Sequence, residues 1–174
     1  MICRIIFHNP EIHFKPDRDN LIISGHRRCV GISTQIKFQF KFKYTYVDIL
    51  PEIRIYIDDD LKFVTENEEH CEFWHECDFS DHVLRIERSG KTNKCPEQTV
   101  ELKQVVIDGI DIRNILWIKS YNENYWPEPW ASQQREAGVV LEDPVIGETV
   151  FGHNCTWTLP FTSPFYKYVM EWLR

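Results

Sequence analysis

The stretch that decides the fold begins with Asp78-Phe79-Ser80-Asp81-His82-Val83-Leu84-Arg85-Ile86-Glu87 and ends at Trp117. Two further segments within it are Thr99-Val100-Glu101-Leu102 and Val105-Val106-Ile107-Asp108-Gly109-Ile110. Apolar and polar residues alternate in each segment, and connectors rich in Gly and Asn separate them, which is the pattern of strands with one buried face. The Asp108-Gly109 pair favours a tight turn. We therefore predict that these strands form the centre of an antiparallel β-sandwich.

The alternation is clearest upstream of this stretch. An apolar row alternates with a polar row, namely Ile36, Phe38, Phe40, Phe42 and Tyr44 against Lys37, Gln39, Lys41 and Lys43. This predicts a long strand with an aromatic inner face in the core and a basic outer face. The alternation of isoleucines over residues 53–57 predicts a second strand, with residues 61–64 as its hairpin partner.

Two other regions have weaker patterns. Residues 65–78 are acidic and predict an irregular loop, which Phe73 and Trp74 dock onto the body of the domain. The chain from Trp157 to Phe161 alternates apolar residues with threonines and predicts a last strand. Pro160 within it indicates an edge position or a strand end, because proline lacks the N–H needed for the sheet ladder.

A chain of 174 residues suits one domain. Apolar residues at helix-like spacing after Pro164 predict a short C-terminal helix. We predict a single all-β domain, an antiparallel jelly-roll-like β-sandwich ending in that helix. Its parts are an N-terminal arm or edge strands (1–34), core strands (35–118), a long aromatic and proline-rich loop (119–150), and a last strand with a C-terminal cap (151–174).

Charge and cysteine content narrow the classes of partner. The net charge of -7 argues against a nucleic-acid partner, which would need a basic patch. No apolar run reaches about 18 residues, so we expect no membrane partner. The N-terminal residues lack the pattern of a secretory signal, so we expect synthesis in a reducing cytoplasm. In that setting the scattered cysteines are predicted to be mostly free thiols: Cys3, Cys29, Cys71, Cys77, Cys95 and Cys155.

Three strand motifs resemble those of jelly-roll carbohydrate-binding modules: Ile55-Tyr56-Ile57-Asp58-Asp59, His82-Val83-Leu84-Arg85-Ile86 and Val105-Val106-Ile107-Asp108-Gly109. A closer resemblance is to small proteins of large tailed phages of the cyanophage type. In those, such a module precedes the motifs Ile110-Asp111-x-x-Asn114-Ile115-Leu116-Trp117 and Trp157-x-Leu159-x-Phe161-Thr162-x-Pro164-Phe165-Tyr166. The resemblance spans roughly residues 35–170. It departs at Asp58-Asp59-Asp60, where the modules favour Asn or Gly turns, so their calcium ligands have no assignable counterparts here.

This resemblance implies a virion-associated protein without catalytic activity, made in the cytoplasm of the host cell. Its expected partners are other virion proteins in an oligomeric assembly. The expected function is that of a structural component of the tail, of the baseplate or a fibre, or of the capsid surface. The alternative is a glycan-binding module for adhesion to the host surface. The chain also lacks the G-x-S-x-G, H-E-x-x-H, P-loop and G-x-G-x-x-G motifs, so we predict neither an enzyme nor a cofactor.

The predicted binding site is the segment rich in aromatic, proline and acidic residues. It carries Tyr121, Tyr125, Trp126 and Trp130 beside several Asn and Glu residues. Exposed rings stack on sugars or form hot spots of protein interfaces, and exposed apolar patches usually mark interaction sites. Three interpretations stay open from the sequence: the rings close one end of the sandwich, bind a protein, or bind a glycan.

Two clusters have residue types found in metal sites without the matching spacing. Zinc would be offered nitrogen and sulfur ligands by His70, Cys71, His75 and Cys77, with His82 nearby. Calcium would be offered oxygen ligands by Asp58-Asp59-Asp60 with Asp78, Asp81 or Asp108. Structural zinc sites use paired C-x2-4-C motifs and calcium loops use a regular ligand spacing, and neither is present. We predict a solvated turn and buried free cysteines here, and zinc at the first cluster is the minor alternative.

Overall fold

The computed structural model of this chain describes residues 33–92, 94–95, 97–113 and 117–172. Residues 1–32 of the predicted N-terminal arm, with Cys3 and Cys29, lie outside the described residues. The strands are β1 (Ser33–Thr45), β2 (Glu52–Ile57), β3 (Asp60–Thr65), β4 (His70–Asp78), β5 (Asp81–Ser89), β6 (Thr99–Ile107), β7 (Ile110–Asp111), β8 (Tyr121–Tyr125), β9 (Val145–Ile146), β10 (Val150–Phe151) and β11 (Asn154–Thr162). The helices are α1 (Trp130–Glu136) and α2 (Phe165–Trp172), with a 3-10 turn at Trp117–Lys119.

The described strands form two antiparallel sheets. The first sheet has the order β10-β6-β1-β4, with β7 also paired to β6, and the second has the order β3-β2-β5-β11-β8-β9. From β1 to β6 the chain changes sheet at every step except the β2–β3 hairpin, which is the way a jelly roll is connected. Strands β10 and β11 lie beside β6 and β5, in the places that the first two strands hold in the usual jelly-roll order. The predicted all-β antiparallel sandwich is confirmed.

The core lies between the inner faces of the two sheets. Phe38 of β1 stacks on Phe73 of β4, with 5.4 Å between ring centroids. The same Phe38 ring meets Phe161 of β11, in the opposite sheet, edge-on at 5.9 Å. The inner rows of β2 and β6 add fully buried aliphatic side chains. These contacts confirm the aromatic inner face predicted for β1. An aromatic row packed against branched side chains excludes water from the inner faces of both sheets.

The predicted C-terminal helix is also confirmed. Helix α2 buries Phe165 and Val169, which are four positions apart and therefore lie on one face. Phe165 meets Phe161 edge-on at 5.9 Å between centroids. The Tyr168 hydroxyl donates to the carbonyl oxygen of Pro160 at 3.2 Å. These contacts hold the helix against β11.

The prediction of an irregular loop over residues 65–78 is wrong for its second half. Residues 70–78 form β4, which pairs with β1 over its whole length. Cys71, Phe73 and Cys77 face inward. Buried cysteines behave as small apolar residues, so the alternation of this strand was not recognised from the sequence. Phe73 does pack on the core, as predicted, but Trp74 points outward and is exposed, with the Lys37 ammonium 5.9 Å from its ring centroid.

The edge position inferred from Pro160 holds locally but not for the strand as a whole. Strand β11 is internal, with β5 on one side and β8 on the other. The pairing with β8 ends at Thr158, opposite Tyr121, whereas Pro160 pairs only with Val83 of β5. The proline therefore lies where no strand on the β8 side would accept a hydrogen bond from an N–H.

The prediction of one long loop over residues 119–150 is wrong in detail. Residues 121–125 form β8, an internal strand, and residues 130–136 form α1. The sequence did not indicate this strand because Asn122 and Asn124 face inward and the tyrosines face outward. This reverses the usual pattern, in which apolar residues are buried and polar residues are exposed. Much of the predicted binding loop is therefore a rigid part of the second sheet.

Candidate functional site

Three of the four predicted binding residues come together in a cluster that we call the aromatic patch, defined as Tyr125, Trp126, Trp130 and His153. The Trp126 and Trp130 ring centroids are 5.7 Å apart. His153 meets Trp126 edge-on at 4.8 Å and stacks on Trp130 at 5.6 Å. Rings at such separations attract one another. Trp126, Trp130 and His153 thus form an ordered ring cluster, and Tyr125 at the end of β8 lines one pocket with Trp130 and His153.

Strand β8 fixes the direction of Tyr125. Because Asn122 and Asn124 face inward, Tyr125 faces outward, where it is 58% exposed. Its hydroxyl lies 2.8 Å from Thr156 Oγ1 on the neighbouring strand. Tyr121 faces the same way, but four residues of strand place it about 13 Å from Tyr125. Tyr121 therefore lies outside the patch.

Helix α1 fixes Trp130, which is 37% exposed. Ala131 is buried, and its N–H donates to the carbonyl oxygen of Pro127 at 2.9 Å. The Glu128 carboxylate accepts from the Ser132 N–H at 3.1 Å and from the Ser132 hydroxyl at 2.7 Å. A carboxylate at the start of a helix satisfies N–H groups that have no partner within it. Trp130 is therefore presented from an anchored helix end.

A pocket of about 270 Å³ opens beside the patch. Its wall combines rings and a proline with groups that form hydrogen bonds: Lys91, Thr92, Tyr125, Pro127, Trp130, His153 and Asn154. An apolar wall with a few convergent polar groups is the usual composition of a small-molecule site. We call this the patch pocket.

A buried arginine lies next to the patch pocket. Arg88 ends the inward row of β5 and is 1% exposed. Its Nη1 donates to Asn154 Oδ1 at 3.0 Å, and its Nη2 donates to the side-chain and main-chain oxygens of Gln98. The Lys91 ammonium donates to the carbonyl oxygens of Gln98 at 3.1 Å and Gly152 at 2.6 Å. One cation, Lys91, therefore lines the pocket, and a second, Arg88, lies behind the wall residue Asn154.

Burial and mutual repulsion govern the titration of these groups. Burial lowers the pKa of His153, and the charges of Lys91 and Arg88 lower it further. Burial also lowers the pKa of Lys91, with a further contribution from Arg88. The Trp126 Nε1 and His153 Nδ1 atoms are both buried without a hydrogen-bond partner. His153 is consequently neutral at pH 7, and the positive charge at the pocket comes from Arg88 and Lys91.

Two larger depressions, of about 470 and 440 Å³, lie on the outer face of the first sheet. Both are lined by Lys41 and Gln104 among other polar side chains. The larger one includes His70 and Cys71 of β4. Neither includes a residue of the aromatic patch, and their walls are as polar as they are apolar, whereas the wall of the patch pocket is mostly apolar. The patch pocket is therefore the better candidate site, although it is smaller.

A second polar cluster surrounds His82, at the other end of the inward row of β5. His82 Nδ1 lies 2.9 Å from Asp58 Oδ2, and Nε2 lies 3.2 Å from both the carbonyl oxygen and Oδ1 of Asp78. Burial alone would lower the pKa of His82, but the hydrogen bonds and charges of Asp58 and Asp78 raise it above its usual value. Both ring nitrogens face acceptors, so the geometry suits the imidazolium, which has two donors.

The neighbourhood of His82 has the order of groups found in Ser-His-Asp triads. Ser80 Oγ lies 3.4 Å from His82 Nε2, and Asp58 holds Nδ1. However, the Ser80 hydroxyl donates to the Asp78 carboxylate. The serine proton is thus directed to Asp78 and not to His82, which differs from the arrangement of a triad. Its clear physical role is to join the turn after β2 to the start of β5.

The minor zinc candidates are spread along β4. Cys71 and Cys77 are six residues apart on one face, about 20 Å in an extended strand, so they cannot share one ion. His70 lies on the opposite face of the strand. Burial raises the pKa of Cys71 and Cys77 to about 12, whereas zinc needs thiolates. No group of three or more potential ligands is placed to hold a metal ion in residues 33–172 as far as they are described.

Three of the aspartates considered for calcium have partners within the protein: Asp58 and Asp78 share His82, and Asp60 pairs with Lys62. Asp58 accepts from His82 and from the Val83 N–H at 2.9 Å, and Asp60 pairs with Lys62 at 3.0 Å. Asp108 lies in the β6–β7 turn at a positive φ of 50°. The described cysteines are free and buried, as predicted: Cys71, Cys77, Cys95 and Cys155.

Five residues at the site were not singled out from the sequence: Arg88, Lys91, Thr92, His153 and Asn154. They meet because β5 pairs with β11, with Arg88 opposite Cys155. One signal was visible, since Arg88 continues the inward row of Leu84 and Ile86 and a charge in such a row needs a dedicated set of partners. The others lie in connectors, where alternation carries no information.

Comparisons with protein-family models, with curated proteins and with solved structures found no significant match to this chain. In the part of the chain that the structure describes, no helix has the length and apolarity needed to cross a membrane.

Proposed function

We propose that this protein is a non-enzymatic component of a phage particle, located in its tail, baseplate or fibre, or capsid surface, and that it binds other particle proteins through the aromatic patch in an oligomeric assembly. The observation that carries the proposal is the exposure of Tyr125 and Trp130 in an ordered cluster. Tyrosine and tryptophan are enriched among the residues that dominate protein interfaces. The phage assignment rests on the sequence resemblance of the strand motifs and of Trp157 to Tyr166.

The rigidity of the patch supports a binding role. Tyr125 and Trp130 belong to a strand and to a helix end, so little conformational entropy is lost when a partner covers them. A patch formed only to close the sandwich would bury these rings, as β1 buries Phe38 and Phe42.

The first test is mass spectrometry of gradient-purified phage particles, with the copy number measured against the major capsid protein. We expect the protein at a fixed stoichiometry. Trp130→Ala is expected to abolish incorporation into particles, whereas Trp74→Ala, which removes an exposed tryptophan outside the patch, is expected to leave it unchanged. Absence of the wild-type protein from particles would overturn the proposal.

A second candidate function is glycan binding for adhesion to the host surface, and the patch pocket favours it. Thr92, Asn154 and Trp130 line the same pocket. A ring face with adjacent polar groups suits a sugar, which has an apolar face and hydroxyl edges. Saturable binding of a glycan that Trp126→Ala or Trp130→Ala abolishes and Trp74→Ala preserves would support this candidate, and unchanged affinity in the patch variants would exclude the patch as the site.

A further inference from the structure

We propose that the patch pocket binds a carboxylate-bearing sugar, such as a uronic acid residue of a glycan. This inference rests on the second candidate function above and names the class of ligand. It is carried by the position of a buried arginine and a lysine beside an aromatic wall, in a chain whose net charge is -7.

The arginine is the unusual element. Arg88 is buried, and among the described residues its hydrogen-bond partners are all neutral, namely Asn154 and Gln98. A buried charge without an opposite charge is costly. An anion that enters the pocket next to Asn154 would reduce this cost, so the site favours anionic over neutral ligands.

Asn154 connects the arginine to the pocket. Its Oδ1 accepts from Arg88 Nη1 at 3.0 Å and from the Lys91 N–H at 2.9 Å, and its Nδ2 donates to the Lys91 carbonyl oxygen at 3.1 Å. These bonds fix the amide and the main chain at residue 91. The basic side of the pocket is therefore preorganised before a ligand binds, which lowers the cost of binding.

No carboxylate belongs to the pocket wall as described. Two acids near wall residues in the chain, Glu128 and Glu148, are bonded to other groups. Glu128 accepts from Ser132 and pairs with Arg135 at 3.3 Å. Glu148 accepts from the side chains of Asn122 and Asn124. Lys91 in the wall and Arg88 behind Asn154 concentrate positive charge at this side of the pocket, with Glu148 opposing them at His153, and such local positive charge attracts anions although the protein is acidic.

The shape favours a sugar over an acidic peptide side chain. The volume of about 270 Å³ is just below the roughly 300–1,000 Å³ of typical small-molecule sites, as suits one sugar residue. The Trp130 ring and Pro127 contribute apolar surface to the same pocket that Lys91 lines. A pyranose ring covers that surface and directs its carboxylate to the cations, whereas an Asp or Glu side chain has no flat face to cover it.

The test is isothermal titration calorimetry with three ligands that share one shape: an oligogalacturonide, its methyl ester and the matching galactose oligosaccharide. We expect the acid to bind about tenfold more tightly than the ester and the neutral sugar, since hydrogen bonds to charged groups are stronger. Lys91→Gln should reduce this preference, with Lys41→Gln on the outer face of β1 as the matched control. Trp130→Ala should weaken all three ligands.

The possible results distinguish the preference for an anionic sugar from glycan binding in general. Equal binding of the acid, ester and neutral sugar would overturn the anionic inference and leave the glycan candidate in place. No binding of any of the three would overturn the inference together with the glycan candidate. Binding of a Glu-rich peptide in place of the sugars would overturn the inference in favour of a protein partner. Because the ester comparison uses the unchanged protein, the test does not depend on whether Lys91→Gln folds.

Discussion

Strands β1 and β8 have the same alternation with opposite burial. Strand β1 buries its phenylalanines and exposes its lysines, whereas β8 buries Asn122 and Asn124 and exposes its tyrosines. Both strands are internal, with a partner on each side. The period of the pattern therefore identifies a strand. The residue types of the buried row determine whether that strand adds apolar side chains to the core or places them on the surface.

The reversal in β8 is possible because the inward amides have a dedicated partner. Asn124 Nδ2 donates to Glu148 Oε2 at 3.0 Å, and Asn122 Nδ2 donates to the same oxygen and to Asn124 Oδ1 at 3.1 Å. A buried polar group costs little when it is bonded and much when it is not. With the amide N–H groups of both asparagines bonded inside, and only Asn122 Oδ1 buried without a partner, the tyrosines of β8 are available on the outer face.

The largest effect is expected where β1 serves the core. Phe38→Ala removes a fully buried ring that contacts Phe73 and Phe161 across both sheets. We expect a loss of about 3–5 kcal/mol in the free energy of unfolding, from lost burial and a residual cavity. Chemical denaturation measures this, with Lys41→Ala on the outer face as a control expected within about 0.5 kcal/mol. A loss near that of the control would contradict the assignment of the inner row.

The next effect tests the buried amides of β8. Asn122→Leu keeps the side-chain size but removes a donor to Glu148, so we expect a loss of about 1–3 kcal/mol. The matched control is Glu123→Leu on the exposed face of the same strand. If Asn122→Leu stabilised the protein in denaturant melts, the inward row of β8 would be an ordinary core row with a tolerated defect, and the comparison with β1 would fail.

The sequence predicted the elements whose buried row is apolar. Strands β1, β2, β5, β6 and β11 and helix α2 all show such a row, and the turn at Asp108 and Gly109 adopts the positive φ angles of 50° and 81° that its residue types favour. Strand β4 was missed because its inward row contains cysteines and a histidine. Strand β8 was missed because asparagine is read as a loop residue unless its partner is known.

The site was predicted only in part, because residue types can be recognised from the sequence whereas contacts between distant segments cannot. The rings of Tyr125, Trp126 and Trp130 were recognised by residue type, which needs no knowledge of contacts. Their neighbours Arg88 and His153 come from segments far apart in the chain, which the β5–β11 pairing brings together. A single sequence without that register does not bring these residues to one pocket.

A smaller effect is expected at His82, a buried polar residue in an otherwise apolar row. The pKa of His82 is raised, so its interactions with Asp58 and Asp78 stabilise the folded state. This stabilisation is complete below the usual histidine pKa of 6.5 and is lost as pH rises through the higher pKa of the folded state. Burial alone would raise the pKa of Asp58, but hydrogen bonds from His82 and Val83 lower it, so its contribution is present above its usual value of 3.8 and is lost as pH falls through the lower folded value.

We therefore expect His82→Gln to cost about 1–2 kcal/mol between pH 4 and 6.5 and less at pH 9. Denaturant melts of both proteins across this range measure the difference. His75, Asp60 and Lys62 also face this region, and subtracting the variant from the wild type removes their own titrations. A difference that grows from pH 6 to pH 9 would contradict the imidazolium assignment.

The smallest effect is expected at Tyr125, on the exposed row of β8. Tyr125→Phe removes only the hydrogen bond to Thr156 Oγ1, and for a half-exposed pair we expect a loss of about 0.5 kcal/mol. Thr156→Val removes the same bond from the other side, so a double-mutant cycle isolates it. Particle incorporation should persist, because the ring that a partner covers is kept. A loss above about 2 kcal/mol would make Tyr125 a stability residue like the phenylalanines of β1, and the two rows would no longer differ in role.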